Sequence, residues 1–80
     1  VVEAYVLIQT EVGRAEVVAK QLATLAGVVS SEYVTGPYDV VLRVSAETLE
    51  ALRAEVVASV QQVAGITRTL TCPIAGGAQP

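Results

Sequence analysis

Apolar residues in the first segment, residues 3–10 (EAYVLIQT), fall on both parities: Tyr5 and Leu7 on one, Ala4, Val6 and Ile8 on the other. A β-branched, aromatic-rich run of this kind predicts a strand covered on both faces. Beyond Gly13 the period changes. Ala15, Val18, Ala19, Leu22, Leu25 and Ala26 follow i, i+3, i+4 spacing, with Arg14, Glu16, Lys20 and Gln21 elsewhere, which predicts an amphipathic helix stopped at Gly27. Residues 28–34 (VVSSEYV) and 38–44 (YDVVLRV) read as strands around a Thr-Gly-Pro link. Ser45 is placed to cap a second helix, with Glu47 in its first turn and an apolar stripe of Leu49, Leu52, Val56, Val60 and Val63 ending at Gly65. A last strand, residues 66–74 (ITRTLTCPI), leads to a Gly-rich segment, AGGAQP, expected as a disordered tail over residues 75–80 after a domain spanning 1–74.

The two halves repeat one plan, strand–helix–Gly–strand, as Leu25-Ala26-Gly27-Val28 and Val63-Ala64-Gly65-Ile66 show. The fold class this predicts is α+β: a ferredoxin-like βαββαβ domain, a four-stranded antiparallel sheet with both helices on one face. A two-layer α+β domain of other strand order is the alternative. Strand alternation assigns Val40, Leu42, Val44, Ile66 and Leu70 to the helix side. It leaves Asp39, Val41, Arg43, Thr67, Thr69 and Thr71 on the far face, with Tyr5 and Leu7. That mixed face suits contact with a second sheet, so a homodimer is expected, a dimeric α+β sandwich or barrel.

Composition supports a covered surface. The chain has 80 residues, is 52% hydrophobic but only 16% charged, and has a mean hydropathy of +0.56. A domain this small buries only part of its apolar surface alone, and copies of itself are the simplest cover. Cys72 is the single cysteine, so no internal disulfide forms and a reducing, cytoplasmic setting is expected. No apolar run reaches the roughly 18 residues of a membrane span, and the first residues lack the basic region of a signal peptide. Four Arg and one Lys against eight acids give a net charge of −3, which offers no basic patch for nucleic acid.

Candidate chemistry is sparse. With no His, one Asp, one Cys and seven scattered Glu, the chain shows no metal-ligand spacing and no nucleophile–base pair, so neither cofactor nor catalysis is expected. Cys72 reads as a small buried or interface hydrophobe against the alternative of a reactive thiol. Thr67, Thr69 and Thr71 are strand formers, or hydroxyls lining a cleft. The segment Thr35, Gly36, Pro37, Tyr38, Asp39 divides evenly. As a turn, Gly-Pro bends the chain, Tyr38 packs and Asp39 caps local amides. As a site, Gly36 admits a close ligand, Tyr38 walls it and Asp39 accepts from an ammonium group.

Two segments resemble a known family. VTGPYDVVLRV is similar to the signature of the C-terminal effector domain of leucine-responsive/asparagine (Lrp/AsnC) regulators, where a Thr/Ser-Gly-x-x-Asp loop opens the third strand. VAGITRTLTCPI resembles the family's Gly-Val-x-x-Thr-x-Thr run, with Gly65, Thr69 and Thr71 in register. The resemblance spans residues 3 to about 74 and lacks the helix-turn-helix of full-length regulators, like the stand-alone form of the module (the RAM domain). It implies a non-enzymatic domain that binds a small effector, typically an amino acid, between neighbouring dimers. Thr35, Gly36, Pro37, Tyr38 and Asp39 would form the binding loop, with Thr69 and Thr71 on the last strand. It further implies dimers paired through their sheets and assembled to octamers or decamers, with full-length Lrp/AsnC regulators as further partners and no direct DNA contact. A structural oligomerisation module and a dimeric α+β barrel enzyme are the competing readings, the second opposed by the absence of His.

Overall fold

The structure, a computed structural model, describes residues 1–74; the tail expected over 75–80 lies outside the described residues. The strands are β1 (Val2–Thr10), β2 (Val28–Tyr33), β3 (Val40–Ala46) and β4 (Ile66–Pro73), and helix α1 is Ala15–Leu22. A second helix, α2, runs through Leu49–Ala51, Leu52–Val57 and Ala58–Gln61, and its middle stretch is wound as a π-helix. The sheet order is β2-β3-β1-β4, with β1 antiparallel to both neighbours and β2 antiparallel to β3. This is the expected ferredoxin-like order, and the other two-layer arrangement is set aside.

The core lies between the sheet and the helices. Ala4, Val6 and Ile8 of β1 and Val40, Leu42 and Val44 of β3 are buried against Val18, Ala19 and Leu22 of α1 and Leu52, Val56 and Val60 of α2. These are the positions that period-two and period-3.6 spacing select. Each fully buried Val, Leu or Ile contributes about 1.5–3 kcal/mol through the area it removes from water. Helix α1 is shorter than its apolar stripe: it ends at Leu22, with Leu25 still against the core and Ala26 exposed.

The internal repeat has a structural counterpart. Gly27 and Gly65, each following a helix, have φ of +88° and +95° and lie against the helix of the other half. A Cβ on Gly27 would come within 2.6 Å of a Val56 methyl, and one on Gly65 within 3.2 Å of a Val18 methyl. Their carbonyls accept, at 2.8 Å, the amides of Ser45 and Glu11 at the ends of β3 and β1. Small size and a left-handed backbone therefore let each crossover close onto its neighbour.

Three local expectations need correction. The cap of α2 is Thr48, whose hydroxyl accepts from the Ala51 amide at 3.0 Å; Ser45 stays in β3, and Glu50, not Glu47, occupies the first turn. β1 is covered on one face only within the chain, because Tyr5 is 42% exposed while Ala4, Val6 and Ile8 are buried. The faces of β4 are also reversed. Its register slips between Gln9 and Thr10, which pair with Arg68 and Ile66 and leave Thr67 as an extra residue. A bulge of this kind inverts the alternation downstream of it. Ile66 packs on the core as expected, but Thr69 and Thr71 pair with Ile8 and Val6 on the helix side. Arg68, Leu70 and Cys72 pair with Gln9, Leu7 and Tyr5 on the open face.

Candidate ligand-binding site

The link between β2 and β3 is exposed at Thr35, Gly36 and Pro37 and half-buried at Tyr38 and Asp39. Backbone bonds fix both ends: the Val34 amide donates to the Asp39 carbonyl at 2.8 Å, and the Asp39 amide to the Ile8 carbonyl at 2.8 Å. Side chains from the end of β1 hold the middle. Gln9 Nε2 donates to the Pro37 carbonyl at 2.9 Å. Asp39 Oδ2 accepts from the Thr10 amide at 2.9 Å and from its hydroxyl at 3.4 Å. The carboxylate thus caps the end of β1 instead of lying on the open face as strand alternation suggested. Both of these bonds land on Oδ2, and a carboxylate has acceptor capacity on each oxygen. Gly36 has φ +157°, and apart from its two chain neighbours nothing lies within 4 Å of where a Cβ would project.

Asp39 and Thr69 are brought to the same end of the sheet on opposite sides of β1, since the amide of Asp39 bonds Ile8 and Thr69 pairs with it. Two strand spacings separate their backbones by about 10 Å. Thr71, opposite Val6, lies two residues further along β4. Thr69 also receives a long bond of 3.4 Å from Gln61 Nε2 of α2, and the bulged Thr67 donates its hydroxyl to the Gln9 carbonyl at 3.2 Å. The loop and the threonines therefore do not converge on one point within a single chain. Gln9 and Thr10, which hold the loop, are not marked by the sequence pattern; the pairing of β1 with β3 is the signal that would have found them.

The open face of the sheet carries an apolar row, Val41–Leu7–Leu70, in register across three strands. Leu70 is 46% exposed. The adjacent row holds Arg43, Tyr5 and Cys72, and the Cys72 thiol is exposed in the chain alone. Arg43 bonds Glu3 Oε1 at 2.7 Å across the pair β1–β3. That hydrogen bond, then the charge of Glu3 and then Tyr5, push the guanidinium pKa above its ordinary value. Among the described residues no three His, Cys, Asp or Glu side chains gather to hold a metal, and no helix is long and apolar enough to cross a membrane.

The family described as the Lrp/AsnC ligand binding domain matches residues 3–75. The chain belongs to this family. The Lrp/AsnC domain seen here is similar to the protein TTHA0845 of Thermus thermophilus, at 32% identity and a TM-score of 0.88, covering 100% of this chain and 99% of that one. It also resembles FFRP-DM1, at 26% identity and a TM-score of 0.83, covering 91% and 97% of the two chains. Escherichia coli AsnC shares the fold, at 20% identity and a TM-score of 0.85, over 99% of this chain but 54% of AsnC. No curated protein sequence matches the chain. Membership of the Lrp/AsnC family supports a regulatory, ligand-binding role.

Proposed function

We propose that this Lrp/AsnC domain is a non-enzymatic sensor whose effector, an amino acid, binds at the Thr35, Gly36, Pro37, Tyr38, Asp39 loop. A second dimer closes the cleft and brings Thr69 and Thr71 to it. One observation carries this reading: the loop is tied down at four points yet lies open to solvent, with Gly36 facing empty space. A rigid, uncovered loop at the end of a sheet is a half-site, complete only against another surface. Pairing of the open faces through Val41, Leu7 and Leu70 gives the dimer, and rings of four or five dimers, octamers or decamers, bring loops together. An effector that bridges two dimers binds the ring better than its parts and shifts assembly by mass action. Full-length Lrp/AsnC regulators are the natural further partners, joined through the same surfaces.

Native mass spectrometry of the full chain with and without a panel of amino acids tests the proposal, since it reads stoichiometry and retained ligand together. Retained amino acid and a ligand-dependent ring population are expected, both lost in Asp39→Ala. A ring distribution indifferent to every amino acid, with no heat of binding by calorimetry, overturns the sensor reading. That outcome favours the competing one, a structural oligomerisation module, to which the engagement of Asp39 by Thr10 lends its own support.

A further inference from the structure

Backbone pairing decides which groups of β2 face outward. The Val34 amide bonds the Asp39 carbonyl, in register with Tyr33 opposite Val40 and Glu32 opposite Val41. Bonded and unbonded pairs alternate along an antiparallel ladder. Glu32 and Ser30 therefore bond Val41 and Arg43, while Ser31 and Tyr33 turn their N–H and C=O groups away from β3. β2 is an edge strand, and no other group among the described residues takes up those outward atoms. The opposite edge is closed at both ends. β4 turns Thr69 and Thr71 outward by the same rule, since the Ile74 amide bonds Glu3, but Pro73, which has no amide, and the bulge at Thr67 bound it. β2 holds no proline, and past the irregularity between Val28 and Ser30 its edge is regular to Tyr33. That edge runs along a groove of about 480 Å³ between β2 and α1. Ala19 and Ala23 form the α1 wall, and Tyr33, 59% exposed, and Val34, 39% exposed, the β2 wall. Ser31 and Tyr33 direct their side chains to this helix side, as the bond from Ser31 Oγ to the Ala19 carbonyl at 2.7 Å shows. Glu32, between them, points to the open face beside Val41, and neither ion pair among the described residues involves it.

We propose that the outer edge of β2 is a docking site for an extended peptide segment of another protein, which adds to the sheet as a further strand. The segment reads apolar–basic–apolar. Its backbone takes up the N–H and C=O groups of Ser31 and Tyr33. The residues opposite those two lie on the helix side, where the groove covers apolar side chains. The residue between them lies opposite Glu32, where a Lys or Arg is matched by charge. A second copy of the chain fits this edge poorly. Antiparallel pairing of two β2 edges through Ser31 and Tyr33 sets Glu32 directly opposite its counterpart, a like-charge pair that destabilises. The register centred on Ser31 calls instead on Val29, where the ladder is irregular.

Amide hydrogen exchange by NMR on the full chain, with the peptide acetyl-Thr-Val-Lys-Val-Thr-amide, tests this. The Ser31 and Tyr33 amides should slow by about tenfold or more at saturating peptide, as each gains a hydrogen bond. Thr69 and Thr71 should exchange as before. The same peptide N-methylated at both valines lacks the donors that reach β2 and should bind about tenfold or more weakly. Replacing its Lys by Glu should weaken binding by about two- to tenfold, and Glu32→Gln, an exposed position, should remove most of that preference. Equal binding of the N-methylated peptide overturns strand addition. Equal binding of the Lys and Glu peptides overturns the charge match. Protection at Thr69 and Thr71 instead, or no protection by any of these peptides at millimolar concentration, overturns the docking site. Protection of Ser31 and Tyr33 without peptide, rising with protein concentration, assigns the edge to a second copy and overturns the proposal as well.

Discussion

Leu70→Ala separates the two faces of β4. With the bulge at Thr67, Leu70 pairs with Leu7 on the open face and is 46% exposed in the single chain. About half of its side chain therefore remains to be covered by a partner. Full burial of a leucine contributes about 1.5–3 kcal/mol, so the uncovered half is worth about 1 kcal/mol. A twofold axis repeats each contact, which makes about 2 kcal/mol per dimer and a rise in the dimer dissociation constant of about 30-fold. Inside one chain the same change should cost about 1 kcal/mol, for the half of the side chain that the chain itself already covers. Sedimentation over a wide concentration range reads the first quantity. Urea unfolding at concentrations where the parent is monomeric reads the second. An unbulged β4 would put Leu70 in the core, where truncation costs about 2–5 kcal/mol at any concentration. A concentration-independent loss of that size, with dimerisation intact, would refute the bulge and the face assignment together. No change in the dissociation constant would refute the open face as the dimer interface while leaving the fold untouched.

Other substitutions probe the scaffold. Gly27→Ala should destabilise the chain by about 1–3 kcal/mol in chemical unfolding, since the new methyl meets Val56 at 2.6 Å and the backbone is left-handed. Thr48→Ala should cost about 1 kcal/mol by loss of the α2 cap, and Ser45→Ala markedly less, because the Ser45 side chain caps no helix. Asp39→Ala should cost about 1.5–3 kcal/mol through the bonds from Thr10, whereas Asp39→Asn, which keeps an acceptor oxygen, should recover most of that; hydrogen exchange at the Thr10 amide checks both. Arg43→Met should leave the urea unfolding of the monomer unchanged, because its pair with Glu3 is exposed, and any effect should appear only in the dimer dissociation constant.

The order of elements and the core were legible because each rests on a period. Ala4, Val6 and Ile8 alternate, Val18, Leu22, Leu52, Val56 and Val60 keep helical spacing, and two glycines mark where each helix must turn back. What alternation cannot carry is an insertion. In ITRTLTC the apolar Ile66 and Leu70 are four residues apart and read as one face, but the bulged Thr67 spends one residue of that spacing. The cap of α2 was misplaced for a related reason: β3 continues through Ala46, which carries the helix start three residues beyond Ser45. The π-helical turn in α2 has no counterpart in the spacing of its apolar residues. In the loop, residue types were suggestive but balanced. Deciding what Asp39 touches required the pairing of β1 with β3, which sets Thr10 beside it and no local pattern contains.

The correction to β4 changes how the open face and the binding loop divide their work. With the threonines on the far face, one mixed surface would have had to serve as interface and site together. With Leu70 there instead, the face becomes an apolar row suited to a permanent partner, while Thr69 moves to the end of the sheet that also holds Asp39. Under the proposed function, association through the row and effector binding at the end of the sheet then use different residues of the same strand. They are still coupled, because β1 carries Leu7 in the row and Gln9 and Thr10 under the loop. A small domain has little stability to spare, so in this proposal the row sets whether a dimer exists and the loop sets only how dimers meet. An effector present at about 100 times its dissociation constant adds about 2.7 kcal/mol to whichever assembly binds it. That is enough to change ring populations by about 100-fold, and an effector that bridges two dimers acts on that contact and not on the pairing within each dimer, so a sensor built this way responds in its rings and not in its fold.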